Sequence, residues 1–274
     1  MRADKRLGQH FLFDPSILRR IAVAAGDLGG STVLEVGPGP GGLTRALLDA
    51  GPARLVAVER DPRLVQHLRE LEAAASGRLE VLEADALKLD PCAVAPGQRV
   101  KIIANLPYNV ATPLLFGWFE RLACVELMVL MFQKEVALRL TAAPGTADYG
   151  RLAVMAQLLC RVERVFDLPP AAFTPPPKVS SSVVRLTPRP EQPSARLRAT
   201  LADLTRAAFG QRRKMLRSSL RAFVPEPLAL LAAAGVEPTR RAEELDVGQF
   251  HRLAELHLER LDIGREPDAG HPPS

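Results

Sequence analysis

The chain has 274 residues, 47% hydrophobic and 24% charged, with a formal net charge of +5 from 36 Lys and Arg against 31 Asp and Glu. That balance excludes wholesale disorder, and the length allows a substantial core without disulfide staples. The three cysteines, Cys92, Cys124 and Cys160, form neither a CxxC pair nor a zinc spacing, so they read as structural thiols in a reducing cytoplasm, with no metal site expected.

The first residues, MRADKRLGQHFLFD, lack an apolar run and a small-residue cleavage site, so no secretory signal is expected. From residue 32 to 132, the short apolar runs TVLEVG, RLVAVE, LEVLEAD, VKIIAN and VELMVLMF alternate with helical patterns. GLTRALLDAG is one such pattern; DPRLVQHLRELEAAA is another, opening on Asp-Pro as a helix start does. The rhythm predicts an α/β fold, a doubly wound and mostly parallel sheet with helices on both faces. Residues 102–119 are uncharged, but Asn105, Pro107, Asn109 and Pro113 interrupt them, so no membrane span is expected.

YGRLAVMAQLLC reads as a helix, and VERVFDLP and SSVVRLTP read as strands that pair antiparallel and finish the sheet. TPRPEQPS, residues 187–194, is a proline-rich linker. It divides a catalytic domain over 1–190 from a small all-helical domain over 195–261. The tail over 262–274, rich in Gly, Pro and charge, is expected to be disordered.

Two motifs carry the chemistry. Glu35 to Leu43 read EVGPGPGGL, in which Gly37, Gly39 and Gly42 satisfy GxGxxG between a strand and a helix. Glu59 ends the second strand, where a ribose-binding acid would stand. These features alone fit NAD, FAD and S-adenosylmethionine (SAM). Pro38 and Pro40 remove N–H groups that a pyrophosphate would need, and Glu35 suits a cationic methionyl group, so SAM is favoured. Asp85, in EADA, is placed to accept from an adenine amine.

Asn105-Leu106-Pro107-Tyr108 closes the fourth strand, and ligands of doubly wound sheets sit at that end. An exocyclic adenine amine is a poor nucleophile because its lone pair is delocalised into the ring. Hydrogen bonds from it to the Asn105 side-chain carbonyl and the Leu106 backbone carbonyl favour a pyramidal nitrogen. Tyr108 offers a face for stacking the base, worth roughly 1–3 kcal/mol.

EVGPGPGGLT, NLPYN, FQKEVALRL, YGRLAVMAQ and AFTPPPKVSSSVVRL, with LGQHFL and FGQRRKMLRSSL, resemble the KsgA-type small-subunit rRNA adenine dimethyltransferases over about residues 5 to 260. The resemblance implies SAM-dependent conversion of two adjacent adenosines to N6,N6-dimethyladenosine. These lie in the loop of the 3′-terminal helix of 16S rRNA, and the enzyme acts, as a monomer, in late small-subunit assembly. It carries cofactor contacts to His10, Leu12, Gly37, Glu59, Asp85 and Asn105, and catalytic roles to Asn105, Leu106 and Tyr108. His10 departs from the Asn common in the family, and Arg60 from the usual apolar residue. Phe173 resembles an aromatic that packs on the target adenine opposite Tyr108.

Arg206, Arg212, Arg213, Lys214, Arg217 and Arg221 fall in a stretch with no acid, and Arg213, Arg217 and Arg221 would share one helical face at i, i+4 and i+8. This predicts an RNA-binding surface, with Arg2, Lys5, Arg6, Arg19 and Arg20 as a second cluster. A dinucleotide oxidoreductase, a non-catalytic assembly factor and a large-subunit rRNA methyltransferase are the competing readings; the tetrapeptide argues against the first two, and QRRKMLRSSL against the third.

Overall fold

The structure is a computed structural model that describes residues 9–263. Arg2, Lys5 and Arg6 of the second basic cluster, and positions 264–274 of the expected tail, lie outside the described residues.

Among the described residues, nine strands form two sheets. The main sheet contains β2 (Thr32–Val36), β3 (Arg54–Glu59), β4 (Leu79–Glu83), β5 (Val100–Asn105), β6 (Val125–Gln133), β7 (Cys160–Leu168) and β9 (Ser181–Pro188), in the order β4-β3-β2-β5-β6-β9-β7. The first five run parallel; β9 is antiparallel to both β6 and β7, so the expected closing hairpin is present. Strand order reverses beside β2, where the chain crosses from β4 to β5, and that switch point is where a doubly wound sheet opens a crevice. The short strands β1 (Phe11–Leu12) and β8 (Phe173–Thr174) pair as a separate ribbon.

Local chemistry explains the helix starts. Helices α1 (Pro15–Ala24), α3 (Pro62–Ala74) and α4 (Pro91–Val94) each begin with proline, preceded by Asp14, Asp61 or Asp90, whose carboxylate accepts from first-turn backbone N–H groups. Proline supplies a helical φ and has no N–H to leave unsatisfied. Between them α2 (Gly42–Asp49) follows the glycine turn, and α5 (Tyr108–Phe119) and α6 (Lys134–Leu140) follow β5 and β6. Val33, Leu47, Leu55, Ala57, Leu68 and Ile103 are fully buried members of the core that packs with α1, α2 and α3. No helix of the described residues is long and apolar enough to cross a membrane.

The chain forms two compact units: one is the chain to Thr141 together with Cys160–Arg189, the other Ala142–Leu159 together with the chain from Pro190. The boundary thus differs from the expected division at the linker. Helix α7 (Arg151–Leu159) packs with α8 (Ala195–Gly210) and α11 (Val247–Ile263), so it belongs to the helical unit although it precedes the linker in sequence. The linker itself is shorter than expected, since Thr187 and Pro188 pair with Arg161 and Cys160 in the sheet. At its far end Ser194 Oγ accepts from the Leu197 N–H and starts α8. The helical unit also contains α9 (Leu216–Ser219) and α10 (Pro227–Ala233). Asp262 and Ile263, assigned to the tail from sequence, continue α11; Arg196 of α8 holds Asp262 in an ion pair at 2.7 Å.

The cysteine expectation is corrected. Cys92 and Cys124 are 32 positions apart, yet the crossover through β5 brings their Cα atoms to 5.3 Å, and they form a disulfide; only Cys160, buried, remains a free thiol. Among the described residues, one group of candidate metal donors gathers, Asp90, Cys92 and Cys124, and its two sulfurs are bonded to each other.

Candidate active site

The carboxyl ends of β2, β3, β4 and β5 open into a cavity of about 290 Å³. His10, Leu12, Gly37, Glu59, Asp85, Asn105, Leu106 and Tyr108 all line it, brought together from positions spread over a hundred residues.

The glycine turn is built for close approach. Gly37 has φ +70° and Gly39 φ +57°, a backbone region that favours glycine. A Cβ on Gly37 would project to 3.7 Å from the Asn105 backbone oxygen, between the two halves of the site. On Gly39 it would meet the Phe11 ring at 3.0 Å. Phe11 is therefore a wall of the cavity, seated on the bare glycine; sequence reasoning missed it, although the LGQHFL motif contains it.

Glu59 accepts at Oε1 from the N–H groups of Arg60 (2.8 Å) and Asp61 (3.0 Å), and at Oε2 from the Gly39 N–H (3.3 Å). Burial raises its carboxyl above the usual range, and the three N–H donors work against that. The same bonds fix the carboxylate at the rim while leaving lone pairs for hydroxyl donors. Asp85 lies two residues beyond β4 and accepts from the Leu87 N–H at 3.1 Å, so it shapes a turn and starts no helix.

Asn105 ends β5 and donates from Nδ2 to the His10 backbone oxygen at 3.2 Å, which leaves Oδ1 as the acceptor of the amide. His10 in turn meets the Pro175 carbonyl oxygen through Nδ1 at 2.8 Å and stacks on Tyr108, with ring centroids 5.6 Å apart at 29°. A ring Nδ1 that faces a carbonyl carries the proton. The His-for-Asn departure thus supplies an aromatic surface beside Tyr108. Tyr108 opens α5 and its hydroxyl is 2.6 Å from Ser181 Oγ. Burial raises its pKa, with the Ser181 contact opposing. Ser181 was missed by sequence reasoning; its signal lay in the SSS run of the closing strand. The Leu106 side chain is buried under the site.

Phe173 does not join this group. It is 3% exposed in the hydrophobic cluster with Leu12 and Leu168, and β8 holds it opposite Leu12. It is not among the residues that line the cavity. Glu35 is buried just before the glycine turn and does not itself line the cavity, although the adjoining Val36 and Gly37 do.

The basic stretch is rearranged. Helix α8 ends at Gly210, and Met215 forms a bridge with Arg241, while Leu216 and Arg217 donate to the Arg240 and Pro238 carbonyls. These bonds draw the chain sideways, so Arg213 precedes α9 and the three arginines do not share one continuous helical face. Arg206 pairs with Asp203 at 2.6 Å and Arg212 with Glu243 at 2.7 Å, so two of the six cations have acids from outside the stretch. Arg213, Lys214, Arg217 and Arg221 are exposed and make no ion pair among the described residues. In the N-terminal cluster, Arg20 lies over the Phe166 ring at 4.0 Å.

A parallel sheet closed by an antiparallel pair, with a glycine turn, the acid Glu59 at a strand end and Asn-Leu-Pro-Tyr around one cavity, defines a SAM-dependent methyltransferase. The chain belongs to the ribosomal RNA adenine dimethylase family, whose family model matches residues 1–258. It is 55% identical over 252 residues to the Ribosomal RNA small subunit methyltransferase A of Rhodospirillum rubrum, covering 92% of this chain and 87% of that one. With the protein of the same name from Gluconobacter oxydans, it shares 56% over 256 residues, 93% and 84% of the two chains. Among solved structures it resembles a dimethyladenosine transferase from Plasmodium falciparum, with a TM-score of 0.77 and 29% identity over 93% of this chain and 98% of that one. The 23S rRNA methyltransferase ErmE gives 0.68 and 30% over 90% and 98%.

Proposed function

We propose that this protein dimethylates N6 of two adjacent adenosines in the loop of the 3′-terminal helix of 16S rRNA, acting as a cytoplasmic monomer on the assembling small subunit. The observation that carries the reading is the Asn105 amide, whose donor end is held by His10 so that its acceptor end serves the target amine. Gly37, Glu59 and Asp85, with His10 and Leu12, would hold the cofactor. Bound there, SAM supplies an electrophilic methyl group on a sulfonium. Asn105 Oδ1 and the Leu106 carbonyl take the two N–H bonds of the amine and turn its lone pair toward that methyl. The Tyr108 ring, fixed by Ser181 and His10, stacks the base. Such positioning is worth about 7–11 kcal/mol, and the product ammonium is acidic enough to lose its proton without a dedicated base.

The deciding experiment gives the protein labelled SAM with small subunits lacking dimethyladenosine, and large subunits and DNA as controls. Label confined to the small subunit is expected; label only on the large subunit, or nowhere, overturns the reading. The likeness to ErmE makes the large subunit the relevant control, while 55% identity to small-subunit enzymes favours the first outcome.

After the first transfer the amine keeps one N–H, and the pocket must admit a methyl beside it. Leu106 is expected to shape that room, so Leu106→Pro should shift the product from dimethyl- toward monomethyladenosine, read by nucleoside mass spectrometry. An unchanged product ratio would refute this role.

Arg213, Lys214, Arg217 and Arg221, free of acids, are the phosphate contacts expected of the helical unit, with Arg206 and Arg212 contributing less because acids already neutralise them. Replacing Arg213, Lys214 and Arg217 by alanine should weaken RNA binding at all sequences and lower the slope of log K against log salt by about 2–3. The double change Arg206→Ala, Arg212→Ala should lower it less. Equal slopes for both would show that the ion pairs do not matter.

A further inference from the structure

Glu35 is a buried acid that the reaction above does not use. It lies in register with Ala57 of β3 and Ile103 of β5. Alternation along the strands therefore puts Glu35 and Glu59, two residues past Ala57, on the same face of the sheet. Glu35 is 1% exposed, and neither of its carboxylate oxygens has a hydrogen-bond partner. Of the elements around it, β3 brings Glu59, α2 brings Thr44, whose uncharged hydroxyl faces the carboxyl, and β5 brings Ile103 and, two residues earlier on the same face, Lys101, whose ammonium is held by the Asp27 carbonyl oxygen and Glu126 and makes no ion pair with Glu35. A carboxylate in such a place is strongly disfavoured, and an unexplained buried polar group calls for a role. Its chain neighbours Val36 and Gly37 line the cavity.

We propose that Glu35 senses the charge on the cofactor's sulfur, holding a proton in the free protein, releasing it to solvent when the sulfonium form binds, and regaining it with the neutral thioether product. Burial pushes the Glu35 carboxyl up to about 8, against the lowering effect of the facing Thr44 hydroxyl and with a smaller upward contribution from Glu59. A group near neutrality changes state when one positive charge arrives close by, since an opposite charge favours the ionised form. The donor and the demethylated product, S-adenosylhomocysteine, differ by one methyl and one unit of charge at sulfur. Glu35 therefore strengthens binding of the donor relative to the product and assists product release. The inference rests on the cofactor placement proposed above.

Calorimetric titration of the full chain with SAM and with S-adenosylhomocysteine, each in two buffers of different ionisation enthalpy at pH 7, counts the protons exchanged. Wild type is expected to release more protons with SAM than with the thioether. In Glu35→Gln that difference should vanish, and the preference for SAM should fall roughly tenfold, the equivalent of one pKa unit. Equal proton counts for the two ligands in wild type, a measurement that needs no variant to fold, overturn the proposal. So does a donor-specific release that persists in Glu35→Gln, which would assign the proton to Glu59. A Glu59→Ala control separates the two claims: loss of SAM affinity supports the placement, whereas unchanged affinity removes the placement and the sensor with it.

Discussion

Asn105→Ala is expected to lower the methyl-transfer rate by roughly 10²–10³-fold while SAM still binds, the usual cost of removing one positioned hydrogen-bonding group from a reacting centre. Alanine removes both ends of the amide: the acceptor proposed for the adenine amine and the donor to the His10 oxygen. Asn105→Asp distinguishes these contributions, because it keeps an acceptor but loses the donor that ties β5 to the N-terminal segment. If the acceptor dominates, Asp should retain more activity than Ala. If the tie to His10 dominates, both should fall alike, and His10→Ala should reproduce the loss. Single-turnover transfer to small subunits, alongside SAM affinity by titration, measures this; unchanged turnover in Asn105→Ala would remove the tetrapeptide from the mechanism.

Glu35→Gln is expected to stabilise the ligand-free protein, by an amount that grows with pH. The folded carboxyl titrates near 8 and its ordinary value is 4.5. Between those values the folded state holds a proton that the unfolded chain has released, so unfolding becomes easier as pH rises. Wild type keeps its full stability with respect to this group below pH 4.5 and loses it as pH climbs through 8. The shift sets an upper bound of about 5 kcal/mol on the cost, and relaxation around the site lowers it. Glutamine keeps the shape and carries no titrating proton. The Tm of Glu35→Gln should match wild type near pH 5 and exceed it by several degrees near pH 8.5, at roughly 2–4 °C per kcal/mol. Equal melting temperatures at both pH values would mean that Glu35 is ionised and paired in the folded protein. SAM should narrow the gap, because a bound sulfonium is a cation that Glu35 otherwise lacks.

The disulfide alters one line of reasoning without altering the reaction. Three unpaired thiols supported a cytoplasmic setting from sequence; with Cys92 and Cys124 joined, the cysteines no longer support it.

The sequence by itself determined the features that depend on neighbours along the chain. Alternating apolar runs marked β2 to β6, the Asp61-Pro62 pair marked the start of α3, and the spaced glycines marked the turn after β2, because each reflects local backbone sterics and hydrogen bonding. Glu59, Asp85 and Asn105 could be named for the same reason: each stands at or just past the carboxyl end of a strand, and that end must face the crevice. What only the tertiary structure decided were contacts between residues far apart in the chain. Phe173 looked like a stacking ring in its motif, but pairing of β8 with β1 turned it into the core. Helix α7 reads as a neighbour of the sheet strands, but its partners α8 and α11 lie on the far side of the linker. The acid-free basic stretch acquired Glu243 from 31 residues downstream of Arg212, and Cys92 acquired Cys124 across β5. The unpaired burial of Glu35 is the clearest case. An acid before a glycine turn is visible in the sequence, whereas its isolation requires β3, β5 and α2 to close around it and exclude water.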